Sequence, residues 1–143
     1  MSVLKFNHNP STAQMQQLHQ NLQAYNRQFL PDDRQTFAIT ATTAERTLVG
    51  AAEGVSYWGR LYLDLLWVAT EQRGLGVGRQ LIAQVEAVAR ERGNRGVDLW
   101  TMTFQAPGFY EKLGYRQVGE IKGYDGGHAK RFYSKELSGN ISV

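Results

Sequence analysis

The chain has no cysteine, and only three histidines are scattered along its 143 residues. That absence removes disulfides, thiolate metal sites and a cysteine nucleophile, and His8, His19 and His128 share no spacing suited to a metal. No metal is expected. Proline is equally sparse, so Pro10, Pro31 and Pro107 stand out as candidate element boundaries. Long apolar runs and a signal-peptide pattern are missing as well, which points to a soluble, cytoplasmic protein with no membrane partner. Nor is there a dense basic stripe. Sixteen Lys and Arg against thirteen Asp and Glu give +3 at pH 7, a mild excess that suits a small anionic ligand and not a nucleic acid. With 42% hydrophobic and 20% charged residues the composition is that of a folded chain, and no repeat or linker divides it. One domain over residues 1–143 is the expectation.

What is present in unusual density is glycine, at one place. Arg73-Gly74-Leu75-Gly76-Val77-Gly78-Arg79 follows a hydrophobic strand-like run and opens an amphipathic helix. Glycines there let the backbone approach a ligand, and a helix N-terminus adds partial positive charge, so pyrophosphate is the natural guest. Two other glycine-loop chemistries fit less well. A dinucleotide fold wants Gly-x-Gly-x-x-Gly directly after its strand, whereas here the glycines alternate and Ala69 to Gln72 intervene; Asp98 alone lies where a ribose acid would stand. A phosphate-binding ATPase loop needs Gly-Lys-Ser/Thr, which Gly78-Arg79-Gln80 does not supply.

Around that loop the periodicities predict a mixed α/β chain. Val3 to Phe6 reads as a short strand, and at Pro10-Ser11-Thr12 a hydroxyl can cap a helix whose stripe is Met15, Leu18, Leu22, Tyr25 and Phe29. Thr36 to Thr43, Thr47 to Trp58 and Arg60 to Val68 then form an antiparallel meander. A strict two-residue period in the third strand places Tyr62, Asp64, Leu66 and Val68 on one face and Leu61, Leu63, Leu65 and Trp67 on the other. Leu81, Ile82, Val85, Val88 and Ala89 give the next helix its inner face, with Gly93 at its end. Val97 to Met102 follows as a strand, so the strand–helix–strand unit predicts a right-handed parallel crossover in an otherwise antiparallel sheet. A short helix from Pro107 and strands over Tyr115 to Ile121 and Ala129 to Leu137, joined by a turn at Asp125-Gly126-Gly127, complete the order. The tail after Ser138 is expected to fray.

These residues carry a family resemblance. Leu66-Trp67-Val68 followed by the glycine loop resembles the acetyl-CoA signature of the GCN5-related N-acetyltransferases (GNAT), Gln/Arg-x-x-Gly-x-Gly/Ala. Ala106-Pro107-Gly108-Phe109-Tyr110-Glu111-Lys112-Leu113-Gly114-Tyr115 is similar to the family's second signature, at a family-like separation. Thr103 stands where family members often carry asparagine. The resemblance spans nearly the whole chain and implies a mixed, mostly antiparallel, splayed sheet flanked by helices. Acetyl-CoA would be wedged between the strands ending at Val68 and near Met102. No other cofactor is implied, and a homodimer is the family's habit.

By the same resemblance, the pantetheine arm would pair with strand backbone at Leu66, Trp67 and Val68, the pyrophosphate would lie on the amides of Gly74, Gly76, Val77, Gly78 and Arg79, and Leu75 would belong to the same cofactor-binding loop. Arg73, Arg79 and Lys112 would add charge, and Thr103, Ala106, Phe109 and Tyr110 would line the second wall. The Leu66 N–H would donate to the thioester oxygen, and Tyr110 would protonate the departing thiolate. Asp64 is the first candidate for the base, with Glu53 or water beside it and His128 lower in rank. The acceptor would be a primary amine, taken to be that of a small molecule. A helix around Met15 to Phe29, the loop from Pro31 to Arg34 and the segment Gly123 to Lys130 would shape its pocket. A different class stays open: an acyl-CoA sensor with the same fold and no chemistry.

Overall fold

The computed structural model describes residues 2–137, so the tail expected to fray lies outside the described residues. The chain divides between Asp33 and Arg34 into two compact units.

The first unit is built on α1 (Thr12–Asn26). Its start is fixed by a reciprocal pair: the Gln14 N–H donates to Ser11 Oγ at 3.1 Å, and the Ser11 N–H donates to Gln14 Oε1 at 3.0 Å. The helix ends before Phe29, whose ring packs against Tyr25 at 5.4 Å between centroids. Val3 to Phe6 forms no strand, contrary to the expectation. A strand is held by its ladder, and four residues with a short apolar pattern do not make one without a partner.

The second unit is a six-stranded sheet in the order β1-β2-β3-β4-β6-β5. Its strands are β1 (Gln35–Thr42), β2 (Leu48–Tyr57), β3 (Arg60–Val68), β4 (Gly96–Met102), β5 (Arg116–Ile121) and β6 (Lys130–Glu136). Every neighbouring pair is antiparallel except β3 with β4, which is parallel. Between those two runs α2 (Val77–Glu91), and α3 (Pro107–Lys112) follows β4. The predicted stripe of α2 is turned inward: Ile82, Val85 and Ala89 share one core cluster with Leu61, Leu63, Val97 and Leu99, Val88 packs half-buried against it, and Leu81 is buried as well. Each large aliphatic so buried contributes roughly 1.5–3 kcal/mol. The helix stops where Asn94 N–H bonds Ala89 O at 2.8 Å and Gly93 N–H bonds Arg90 O at 3.0 Å, satisfying its last carbonyls. Among the described residues no helix is long and apolar enough to cross a membrane.

One polar network ties the central strands together. The Arg60 guanidinium grips Asp98 with two bonds of 2.7 and 2.8 Å, Ser134 Oγ–H donates to the same carboxylate at 2.7 Å, and Glu136 lies 3.0 Å from Arg60. Strands β3, β4 and β6 are thereby joined. Burial of the Asp98 carboxyl pushes its pKa up, but the bonds from Arg60 and Ser134 outweigh it and leave the pKa below the usual carboxylate value. A depressed pKa means that this stabilisation is present above about pH 4 and is lost as the pH falls further. Asp98→Asn is expected to lower stability at pH 7 by about 1 kcal/mol, given how much of the pair is exposed. Urea midpoints check this: the gap between wild type and variant should narrow by pH 3, and a gap independent of pH would contradict it.

Candidate active site

The parallel strands β3 and β4 pair only at Leu61↔Val97 and Tyr62↔Asp98. Beyond the Arg60–Asp98 clamp they part, although β3 continues to Val68 and β4 to Met102. The facing backbone edges are left without a ladder, and unpaired N–H and C=O groups are what an amide-bearing ligand can use. Between the strands opens a cleft of about 810 Å³, the size of a cofactor or drug-sized site.

The wall formed by β3 is not the regular strand that its sequence suggests. On β2 the successive residues Glu53 and Gly54 pair with Leu65 and Leu63, so Asp64 is the extra residue of a bulge. The strict two-residue period therefore fails there. Leu61 and Leu63 face the core as expected, but after Asp64 the phase flips: Leu66 packs against the core, and Leu65 and Trp67 turn outward. Asp64 does not simply share a face with Leu66, as the unbroken period had it. It is exposed at the bulge and lines the cleft.

At one end of the cleft the glycine loop makes the predicted cradle. Gly74 and Gly76 adopt φ of +79° and +88°, a region that side chains disfavour, and Gly76 is the residue from which α2 departs. The first intrahelical bond is Gln80 N–H to Gly76 O at 3.0 Å, so the amides of Val77, Gly78 and Arg79 have no acceptor within the helix. Arg79 lines the cleft beside them, as does Arg73, whose Nε–H also reaches Val68 O at 3.4 Å. Gly78 has a second reason to be glycine: a Cβ there would stand 3.1 Å from Phe109 Cζ, where α2 and α3 come together.

Across the cleft, α3 begins at Pro107 and presents Phe109, Tyr110 and Lys112, with Ala106 at its start. Tyr110 is buried against Phe109, Tyr115 and Tyr133, with ring centroids 5.1, 5.9 and 6.3 Å away. Burial pushes its phenol up to about 12, so it is protonated throughout the neutral range. Beneath it Glu86, buried on α2, accepts from Tyr115 Oη–H at 3.0 Å and from Lys135 Nζ at 3.1 Å, which satisfies an otherwise costly carboxylate.

The cleft thus brings together Asp64, Leu66, Trp67, Val68, Arg73, Gly74, Gly76, Val77, Gly78, Arg79, Ala106, Phe109, Tyr110 and Lys112. Leu75 and Thr103 are not among its lining residues. Leu75 points into solvent, and Thr103 is a fastener: its hydroxyl accepts from Ala129 N–H at 3.0 Å and meets His128 Nδ1 at 3.1 Å. His128 is held there, against Phe104 as well, and does not line the cleft; Glu53 lies exposed on β2 opposite Leu65. Sequence reasoning missed the β4 side, where Leu99, Trp100, Thr101, Phe104 and Gln105 line the cleft. Gln105 Oε1 accepts from Met102 N–H at 2.8 Å and so finishes β4. The exposed aromatics Trp100 and Phe104 at a strand end were the available signal.

A chain with this cleft has recognisable relatives. Residues 6–115 match the model of the acetyltransferase (GNAT) family. A blasticidin-S acetyltransferase of Streptomyces morookaense is 41% identical over 104 residues, which cover 72% of this chain and 76% of that one. The crystal structure of an acetyltransferase from Bacillus cereus superposes with a TM-score of 0.86 at 31% identity, covering 93% of this chain and 98% of the other. A nourseothricin acetyltransferase superposes with a TM-score of 0.61 at 32% identity over 73% of this chain and 66% of its own. The mixed six-stranded sheet with flanking helices is the fold of these neighbours. The chain belongs to the acetyltransferase (GNAT) family and is an N-acetyltransferase.

Proposed function

We propose that this enzyme transfers the acetyl group of acetyl-CoA to a primary amine of a small molecule, by direct attack within a ternary complex. The observation that carries the reading is what lines one cleft: a cradle of free amides and arginines, a buried, protonated Tyr110 and the exposed Asp64. The pyrophosphate lies on the amides of Val77, Gly78 and Arg79, and Arg73, Arg79 and Lys112 offset its charge. The pantetheine amides pair with the open edge of β3 from Leu66 to Val68. That places the thioester near the Asp64 bulge, with the Leu66 N–H directed at the oxygen on which negative charge develops.

The chemistry follows from that placement. The amine nitrogen attacks the thioester carbon, the carbon–sulfur bond breaks, and Tyr110 gives its proton to the departing thiolate. The ammonium proton goes to Asp64, directly or through one water. The antibiotic substrates in the names of two relatives support a small-molecule acceptor, and blasticidin S is the first amine to try.

Thiol release from acetyl-CoA across an amine panel tests the activity, and the lack of cysteine keeps a disulfide-dye readout free of background. Release that depends on a small amine is the expected result; acetyl-CoA binding with no release on any amine would favour a sensor. Tyr110→Phe is expected to cut turnover roughly 100-fold while acetyl-CoA affinity stays unchanged, because only the transition state uses the proton. With the phenol at about 12, wild-type turnover should rise with pH and show no loss of its acid below about pH 11. Gly78→Val should weaken acetyl-CoA binding at least about tenfold in calorimetry, by pushing on Phe109 and crowding the cradle. Unchanged affinity would contradict the assignment of the loop.

A further inference from the structure

Trp100 on β4 and Lys130 on β6 are side chains beside the cleft that the acetyl-transfer scheme leaves unused. Trp100 lines the cleft, and the register that pairs Tyr62 of β3 with Asp98 makes Tyr62 its diagonal neighbour on the same face. Asp64, two residues further along β3, lines the cleft as well, and burial together with that carboxylate raises the Tyr62 pKa. On the other flank of Trp100, the first residue of β6 projects over the ring. Lys130 Nζ lies 4.2 Å from the Trp100 centroid and 5.5 Å from that of Tyr124. The strand register fixes this placement, since Trp100 pairs with Phe132 and Lys130 is its diagonal neighbour on the same face. Two aromatic faces hold the ammonium at a set position without neutralising it. The row therefore reads Asp64, Tyr62, Trp100, Lys130: an acid at one end, a cation at the other, and an aromatic floor between.

We infer that the acceptor carries an acidic group as well as its amine, a carboxylate or its equivalent, which Lys130 pairs while Asp64 receives the ammonium. This rests on the function proposed above and narrows its acceptor. A floor with opposite charges at its two ends orients a zwitterion in one direction, because the reversed pose sets like charges together at both ends. Lys130 is then a specificity-determining residue, and it takes no part in the chemistry.

Matched pairs of amines test this. Each pair is an amino acid and its carboxamide, with the amine-to-carboxylate spacing varied through phenylalanine, β-alanine, 4-aminobutyrate and 6-aminohexanoate. The readout is the ratio of kcat/KM for acid over amide in wild type and in Lys130→Gln, which cancels the difference in amine basicity within a pair. For the spacing that fits, the ratio is expected to fall at least about tenfold in Lys130→Gln, the scale of one charge-assisted bond, while the amide rate and acetyl-CoA affinity hold steady. Lys130→Arg should restore most of it. A ratio that does not fall, or an equal loss on acid and amide, overturns the inference. So does turnover of simple amines with every acid silent. Silence of all amines by a protein that binds acetyl-CoA defeats the proposed function itself, and the acceptor inference falls with it.

Discussion

The early parting of β3 and β4 is the constraint on which the rest of the site depends. Two parallel strands that paired along their full length would close the sheet and leave no edge for a ligand. Here pairing stops after two positions, and the stop coincides with a bidentate Arg60–Asp98 bridge braced by Ser134 from β6. Below that point the strands are pinned; above it they are free to diverge. The cleft, the open β3 edge and the approach of α3 to the glycine loop all lie on the diverging side.

Local backbone irregularities then aim the parts. The bulge at Asp64 reverses which side chains of β3 meet the core, so Leu66 anchors inward and Asp64 is left at the opening. Gly76, with its positive φ, turns the chain into α2 so that three amides face the same space. Gly78 lets Phe109 approach, and Phe109 brings Tyr110 along. Each feature costs regular structure and contributes a directed group. This is the usual exchange at a functional site, where irregular backbone persists because the surrounding fold holds it.

How much of this was legible depended on whether a residue's physics is local. The glycine loop was legible because alternating glycines before an amphipathic stripe have few other uses, and α2 lies within the predicted limits. The antiparallel meander and the parallel crossover followed from periodicity and the crossover rule, whereas the place of β6 between β4 and β5 did not. The bulge was not legible: Leu65, Leu66 and Trp67 are all apolar, so the pattern reads equally well in either phase and only the pairing with Glu53 and Gly54 decides it. The β4 wall was missed for a related reason. Trp100 lines a cleft because β3 has moved away from it, which is a property of two strands and not of one. Val3 to Phe6 erred the other way, as a strand-like pattern with no partner to make it a strand. Thr103 shows a resemblance meeting the particular chain: its hydroxyl fastens β4 to the start of β6 at Ala129.

The central claim is that acetyl-CoA occupies the gap where β3 and β4 part. Amide hydrogen exchange with and without acetyl-CoA tests this without needing an acceptor. New protection is expected at Leu65 to Val68 on the open edge of β3 and at Val77 to Arg79 at the start of α2, with β1 and β5 unchanged. Protection elsewhere, with both of those segments exchanging as in the free protein, would contradict it.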